Sequence, residues 1–354
     1  MTELNTHTRV INVPEVLDVD RENLSRISQI LQRRGFRLER VIVLSGNGFT
    51  QRCAEVVLAE LVGAGSQVTH LQVGAASHET VARLSDQTRF FGADVLVGVG
   101  GGRVLDVAKS VARTCGTVLV CVPTSMSHDG IGSPVASLTD RFGHRSSVAA
   151  ATPAAVIIDL NVIEAAPLTM LRAGVGDLLS NLSAVEDWRL ADARGLETYD
   201  AYSAMIADGG ARMLLSFDGL TQRGAAETIA RGLILSGLAM ETAGTSRPCS
   251  GAEHLISHSL DRLLGSAARL HGEQVALGTL VASTARNAMP LGLRSAYERF
   301  GLPSHPADLG LTTGLLIDAV INAPQTRPSR YTILNEIDLS RTSVADLVDR
   351  AFHE

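Results

Sequence analysis

The chain has 354 residues, more than one ordinary domain needs, and its 45% hydrophobic content can fill substantial cores. Aromatic residues make up only 4% while glycine occurs 33 times, a composition of packed helices and glycine turns rather than an all-β sandwich. A formal charge of −6 without a basic stripe excludes nucleic acid as a partner, and no apolar run reaches the ~18–20 residues of a membrane span.

Cys53, Cys115, Cys121 and Cys249 show no C-x-x-C pairing and no disulfide density, and the N-terminal stretch lacks an apolar signal core. A soluble protein of the reducing cytoplasm is expected. After a polar lead-in, a helix is expected over Arg21 to Gly35, ending on glycine. Arg40 to Gly46 is a short apolar run that reads as a buried parallel strand. A helix over Phe49 to Val62, a strand over Gln67 to Val73, a helix over Glu79 to Phe90 and a strand over Asp94 to Val99 follow. This alternation predicts a doubly wound, Rossmann-like α/β sheet.

That last strand runs into Gly100-Gly101-Gly102-Arg103, with Asp106 and Lys109 on the helix beyond. Glycines between a strand and a helix let backbone N–H groups close on a phosphate, and the helix dipole favours the negative charge. A nicotinamide dinucleotide cradle is expected here, although the spacing is not G-x-G-x-x-G. Asp106 offers a group for an amide or hydroxyl, and Lys109 one for a phosphate. The strand Thr117 to Pro123 ends in a hydroxyl-rich loop, Thr124 to Pro134, at the carboxyl edge where open α/β sheets bind ligands. His128 and Asp129 add ionisable groups to it. Ala154 to Leu160 is the last strand expected.

From Ala165 onward the pattern is helical: Leu178 to Asp192, Ala201 to Ser216, Gly224 to Thr242, Gly251 to Leu264, Gly272 to Ala288 and a tail helix over Asp338 to His353. An α/β domain over 1–160 and an all-helical domain over 161–354 are therefore expected, with the active site in the cleft between them. His254 and His258 stand one turn apart on one helix face, and His271 can open the next helix. Together they make three imidazoles available to one metal ion, which usually takes a carboxylate as well. Gly174-Val175-Gly176-Asp177 lies upstream as a source.

The glycine triplet with Asp106 and Lys109, the stretch Ser127-His128-Asp129-Gly130-Ile131, Gly176-Asp177 and Ser250-Gly251-Ala252-Glu253-His254 occur in order with His271-Gly272-Glu273-Gln274 and Arg327-Pro328-Ser329-Arg330. In this combination, spanning roughly 10–350, the sequence resembles the polyol dehydrogenases of the iron-alcohol-dehydrogenase and dehydroquinate-synthase group. Within it the match is nearest to the branch working on glycerol 1-phosphate. The resemblance implies Asp177, His254 and His271 as metal ligands, with Asp129, Asp177 and His258 touching substrate and Asp129 and His258 serving catalysis. It implies Gly100, Gly101, Gly102, Arg103 and Asp106 in the pyrophosphate turn, and Thr124, Ser125, Ser127 and Ser133 toward the nicotinamide. Where the iron-dependent branch has a further histidine, this chain has Asn181, so a three-ligand zinc site is expected, with nickel or iron as alternatives. NAD or NADP is the implied cofactor, a small phosphorylated polyol or ketone the substrate, and a homo-oligomer the assembly. Arg145, Arg247 and Lys109 are the candidates for the substrate's phosphate. A cyclase of the dehydroquinate-synthase type, or a dehydrogenase of another phosphorylated sugar, is the alternative.

Overall fold

The computed structural model describes residues 11–141 and 145–353. The α/β half runs β1 (Val16–Asp20), α1 (Ile27–Gln32), β2 (Arg40–Ser45), α2 (Phe49–Gly63), β3 (Gln67–Gln72), α3 (His78–Phe91), β4 (Val95–Gly100), α4 (Gly102–Cys115), β5 (Val118–Pro123), β6 (Val135–Thr139), β7 (Arg145–Ala149) and β8 (Ala155–Asp159). From there to the end the chain is helical: α5 (Leu160–Ala165), α6 (Leu168–Ala193), α7 (Ala201–Leu214), α8 (Ala225–Ala243), α9 (Ala252–Leu264), α10 (His271–Ala285), α11 (Leu293–Phe300), α12 (Thr313–Asn322) and α13 (Arg341–His353), with short 3-10 turns between them.

Six strands form one parallel sheet in the order β1-β8-β5-β4-β2-β3. The expected doubly wound sheet is thus present. Its inner strands are apolar runs because helices cover both faces, and β4 is buried along its whole length. Strand order reverses between β2 and β4, so the carboxyl ends of these two strands open the crevice where such sheets take ligands. Gly46 follows one and Gly101 the other.

Two strand elements depart from expectation. The polar lead-in contains β1, an edge strand paired with β8 from Val16↔Ala155 to Asp20↔Asp159; its Asp18 and Asp20 and its exposed Leu17 belong to a strand with only one neighbour. The stretch after the hydroxyl-rich loop folds into the antiparallel hairpin β6–β7 rather than continuing as loop. The helix expected over Arg21 to Gly35 is shorter, a 3-10 turn at Leu24–Arg26 leading into α1, with Gly35 at φ 78° closing the bend.

α6 begins at Leu168, ahead of the expected Leu178. Gly174 and Gly176 lower its helix propensity, and packing explains their presence. A methyl group at Gly174 would collide with the carbonyl oxygen of Met126, and one at Gly176 with that of Gly272 on α10. Gly272 in turn lies against the carbonyl of Ala173. α6 and α10 therefore touch backbone to backbone, and Asp177 lies one residue beyond this contact.

The largest apolar core does not stop at residue 160. It joins Ile42, Leu96 and Leu105 to Val175, Leu179, Leu233 and Leu280 in one buried cluster. Cys53, Cys121 and Cys249 are buried free thiols, as their small apolar character leads one to expect, and Cys115 is half-buried. No helix among the described residues is long and apolar enough to cross a membrane.

Candidate metal centre and dinucleotide cleft

Three helices converge on one carboxylate. Asp177 on α6 is 2% exposed, His254 stands on the first turn of α9, and His271 is the first residue of α10. The Nε2 atoms of His254 and His271 lie 3.5 and 3.6 Å from Asp177 Oδ1, and one ligand atom from each residue falls within 4.8 Å of the others. Asp177 Oδ1 is buried and lacks a hydrogen-bond partner. That is costly unless something else meets it. Tetrahedral ligands at the usual zinc–nitrogen and zinc–oxygen lengths stand about 3.4 Å apart, so the observed spacing suits a divalent ion shared by the three groups.

The outward nitrogens are oriented as such a site requires. His254 Nδ1 is 3.1 Å from Glu253 Oε1, itself held by the Gly251 N–H at 2.5 Å, and His271 Nδ1 is 3.2 Å from Ser257 Oγ. A proton on Nδ1 leaves the Nε2 lone pair for a metal. In the protein alone, burial works against charge on Asp177, but His254, His271 and His128 outweigh it and hold its pKa at about 2. Burial likewise disfavours the His254 imidazolium, yet the carboxylates of Asp177 and Glu253 raise it to about 10. A dication would take over the role of this shared positive charge and displace the proton.

His258 joins the cluster from the side. Its ring stacks 6.0 Å from that of His271 at 24°, and burial, then His271 and His254, push its pKa well below the ordinary histidine value. Asp129 reaches the centre from the loop after β5: its N–H donates to Asp177 Oδ2 at 2.8 Å. Burial first, and the Asp177 carboxylate second, push the Asp129 carboxyl up to about 8. Asn181, one turn after Asp177, faces elsewhere and donates to Ser236 Oγ at 2.8 Å and to the Ala207 carbonyl at 3.3 Å.

The glycine turn sits at the strand-order reversal, where the sheet topology puts it. Gly100 ends β4, Gly101 precedes α4, and the exposed Arg103 extends toward Gly46 at the end of β2. Thr124 N–H donates to the Gly100 carbonyl at 3.1 Å, and Ser125 lies close to Gly101. Ser127 is half-buried in the same loop. The His128 ring rests on Gly102 so closely that no side chain fits there, while its Nδ1 accepts from the Gly130 N–H at 2.9 Å. The loop thus touches the glycine turn at one end and the metal cluster at the other.

Several expected ligand groups have other duties. Lys109 is fully buried, and its ammonium is shared among Asp106 Oδ1 at 3.1 Å, the Gly130 carbonyl at 2.6 Å and the Val135 carbonyl. An ammonium has three donors, so none remains for a phosphate. Asp106 completes this clamp by accepting from the Ser137 N–H at 3.2 Å. Ser133 is 1% exposed and donates to the Val135 carbonyl, closing its own loop. Arg247 is buried in an ion pair with Glu197 and donates to the Tyr331 carbonyl, which removes it as a phosphate ligand. Arg145 opens β7, and its side chain lies outside the described part.

Fold and site define a metal-dependent, nicotinamide-linked alcohol dehydrogenase, and residues 18–167 match the iron-containing alcohol dehydrogenase family. Over 333 residues, 93% of this chain and 95% of the relative, the sequence is 35% identical to the glycerol-1-phosphate dehydrogenase [NAD(P)+] of Hyperthermus butylicus. It is 41% identical over 269 residues to the protein of the same name from Thermococcus kodakarensis, covering 75% of this chain and 76% of that one. A probable glycerol dehydrogenase from Sinorhizobium meliloti superposes with a TM-score of 0.77 at 25% identity, covering 98% of this chain and 99% of its own. The chain belongs to the glycerol-1-phosphate dehydrogenase family, and it is an oxidoreductase.

Proposed function

We propose that this protein interconverts dihydroxyacetone phosphate and sn-glycerol 1-phosphate with NAD or NADP, using a single divalent ion, zinc by preference, on Asp177, His254 and His271. The observation that supports this most is Asp177 Oδ1, buried without a hydrogen bond and facing two Nε2 atoms, joined to the glycine turn through one loop. The ion supplies Lewis-acid polarisation of the C2 oxygen, and the nicotinamide supplies or accepts the hydride. Asp177, His254 and His271 hold and orient the ion. Gly100, Gly101, Gly102 and Arg103 hold the dinucleotide, with Thr124, Ser125 and Ser127 toward its nicotinamide. His258, kept neutral by burial and its imidazole neighbours, accepts the substrate's hydroxyl proton at a ring nitrogen. Asp129, brought to the centre by the bond from its N–H to Asp177 Oδ2, meets a substrate oxygen.

The reading includes a cytoplasmic homo-oligomer built from an α/β domain over 1–160 and a helical domain over 161–354. Metal-stripped protein is reloaded with zinc, nickel or iron and given dihydroxyacetone phosphate with each reduced cofactor. Loss of the reduced-nicotinamide absorbance, with a product that a glycerol-3-phosphate-specific dehydrogenase leaves untouched, is the expected result. Phosphate release without net cofactor oxidation would identify a cyclase instead.

A further inference from the structure

Two arginines beside α9 have no carboxylate within ion-pair distance among the described residues. Arg330 is 5% exposed, and its guanidinium donates to the Ser250 carbonyl at 2.5 Å and to Ser246 Oγ at 3.0 Å. Arg327 donates to the same Ser246 Oγ at 3.1 Å. Among the described residues neither forms an ion pair, whereas the neighbouring Arg247 is paired with Glu197. Burying an arginine without a counter-ion is unfavourable, and setting a second against it adds repulsion. Burial first, then Arg327 and Arg247, lower the Arg330 pKa to about 9.

The architecture nevertheless holds these groups in place. Arg262 of α9 donates to the carbonyls of Gln325 and Thr326, fastening the segment that leads into Arg327. Arg330 grips the turn that opens α9, the helix whose first turn carries His254. Ser246 accepts from both guanidinium groups, which leaves its own hydroxyl proton to donate.

We propose that Arg327, Arg330 and Ser246 form the oxyanion site that receives the phosphate group of the substrate. A phosphate there supplies the missing counter-charge, and guanidinium groups meet its oxygens in planar, forked geometry. This assignment rests on the reading that the substrate is a phosphorylated polyol, and it explains how a chain of net charge −6 accepts an anion.

The test uses the full-length, metal-loaded protein with inorganic phosphate as the probe, measured by titration calorimetry. Arg327 is exposed, so Arg327→Gln is expected to fold normally. It should weaken phosphate binding and raise the KM for dihydroxyacetone phosphate, each by roughly 10- to 100-fold. Unphosphorylated dihydroxyacetone carries no group for this site, so its KM should shift far less than that of the phosphate ester. Arg330→Lys keeps the charge but loses the fork and should give a smaller loss of the same kind. Phosphate binding equal to wild type in Arg327→Gln, or none in the wild type, overturns the assignment. If Arg327-dependent phosphate binding is found in a protein inactive on dihydroxyacetone phosphate, the anion site stands and the substrate reading falls. Full activity on that ketone phosphate, undiminished in Arg327→Gln, keeps the substrate reading and removes the anion site.

Discussion

Glu253 shows how much of a metal site lies behind its ligands. It is fully buried, bonded through Oε1 to the His254 ring and the Gly251 N–H, and it fixes which imidazole nitrogen faces Asp177. Glu253→Gln removes the charge while keeping the shape. Metal affinity should fall about 10- to 100-fold, as for other outer partners of ligating histidines, measured by competition with a chromogenic chelator. His271→Ala removes a ligand outright and should abolish metal retention and turnover together, checked by elemental analysis and the nicotinamide assay; an active, metal-free variant would refute the ligand set. Helical spacing brings out His254 and His258, but the imidazole that joins His254 at Asp177 is His271, on another helix. A single aspartate among glycines has no pattern of its own, so Asp177 is one candidate carboxylate until the family resemblance singles it out as a ligand. Arg327 and Arg330 meet Ser246 across about eighty positions of sequence, a juxtaposition that no local motif announces. Lys109 misleads for a related reason: its place on α4 suggests a phosphate ligand, but the direction of its side chain depends on a hairpin that the sequence pattern does not reveal.

At the scale of elements, legibility follows burial on both faces. Strands β2, β4 and β5 are continuous apolar runs and can be read directly; β1, an edge strand with alternating aspartates, and the polar hairpin β6–β7 cannot. The early start of α6 is hidden by Gly174 and Gly176, residues that weaken a helix locally so that it can approach α10. That close approach sets the ligand spacing, which makes a prediction. Gly176→Ala should force the helices apart against a backbone oxygen that has nowhere to move, costing roughly 1–3 kcal/mol or more and lowering metal content. Gly209→Ala on α7 is the matched control. An added methyl there meets nothing within 4 Å, so stability should rise by about 0.4–1 kcal/mol with metal content unchanged. Urea unfolding and metal analysis of both variants read the two effects separately. If Gly176→Ala retains wild-type stability and metal, the backbone contact does not govern the site.

Across the whole molecule, the sequence suggests two halves, whereas the largest apolar cluster binds them together: Leu105 of α4 and Val156 of β8 share it with Leu179 of α6 and Leu280 of α10. The metal ligands, by contrast, all come from the helical half. This separation allows the coupling to be measured. An ion present at 100 times its dissociation constant stabilises the folded state by about 2.7 kcal/mol. For a chain of this length, unfolding entropy of about 2.1 cal/mol/K per residue converts that into a rise of about 3–4 °C. If the shared core makes the chain one cooperative unit, calorimetry of stripped protein should show one endotherm that moves upward intact when zinc is restored. The strands then melt with the helices although no strand residue binds the ion. If the halves unfold independently, zinc will shift a helical transition and leave an α/β transition at its original temperature. A stationary second endotherm would therefore show that the core spanning residue 160 does not transmit the energy of the metal site to the sheet.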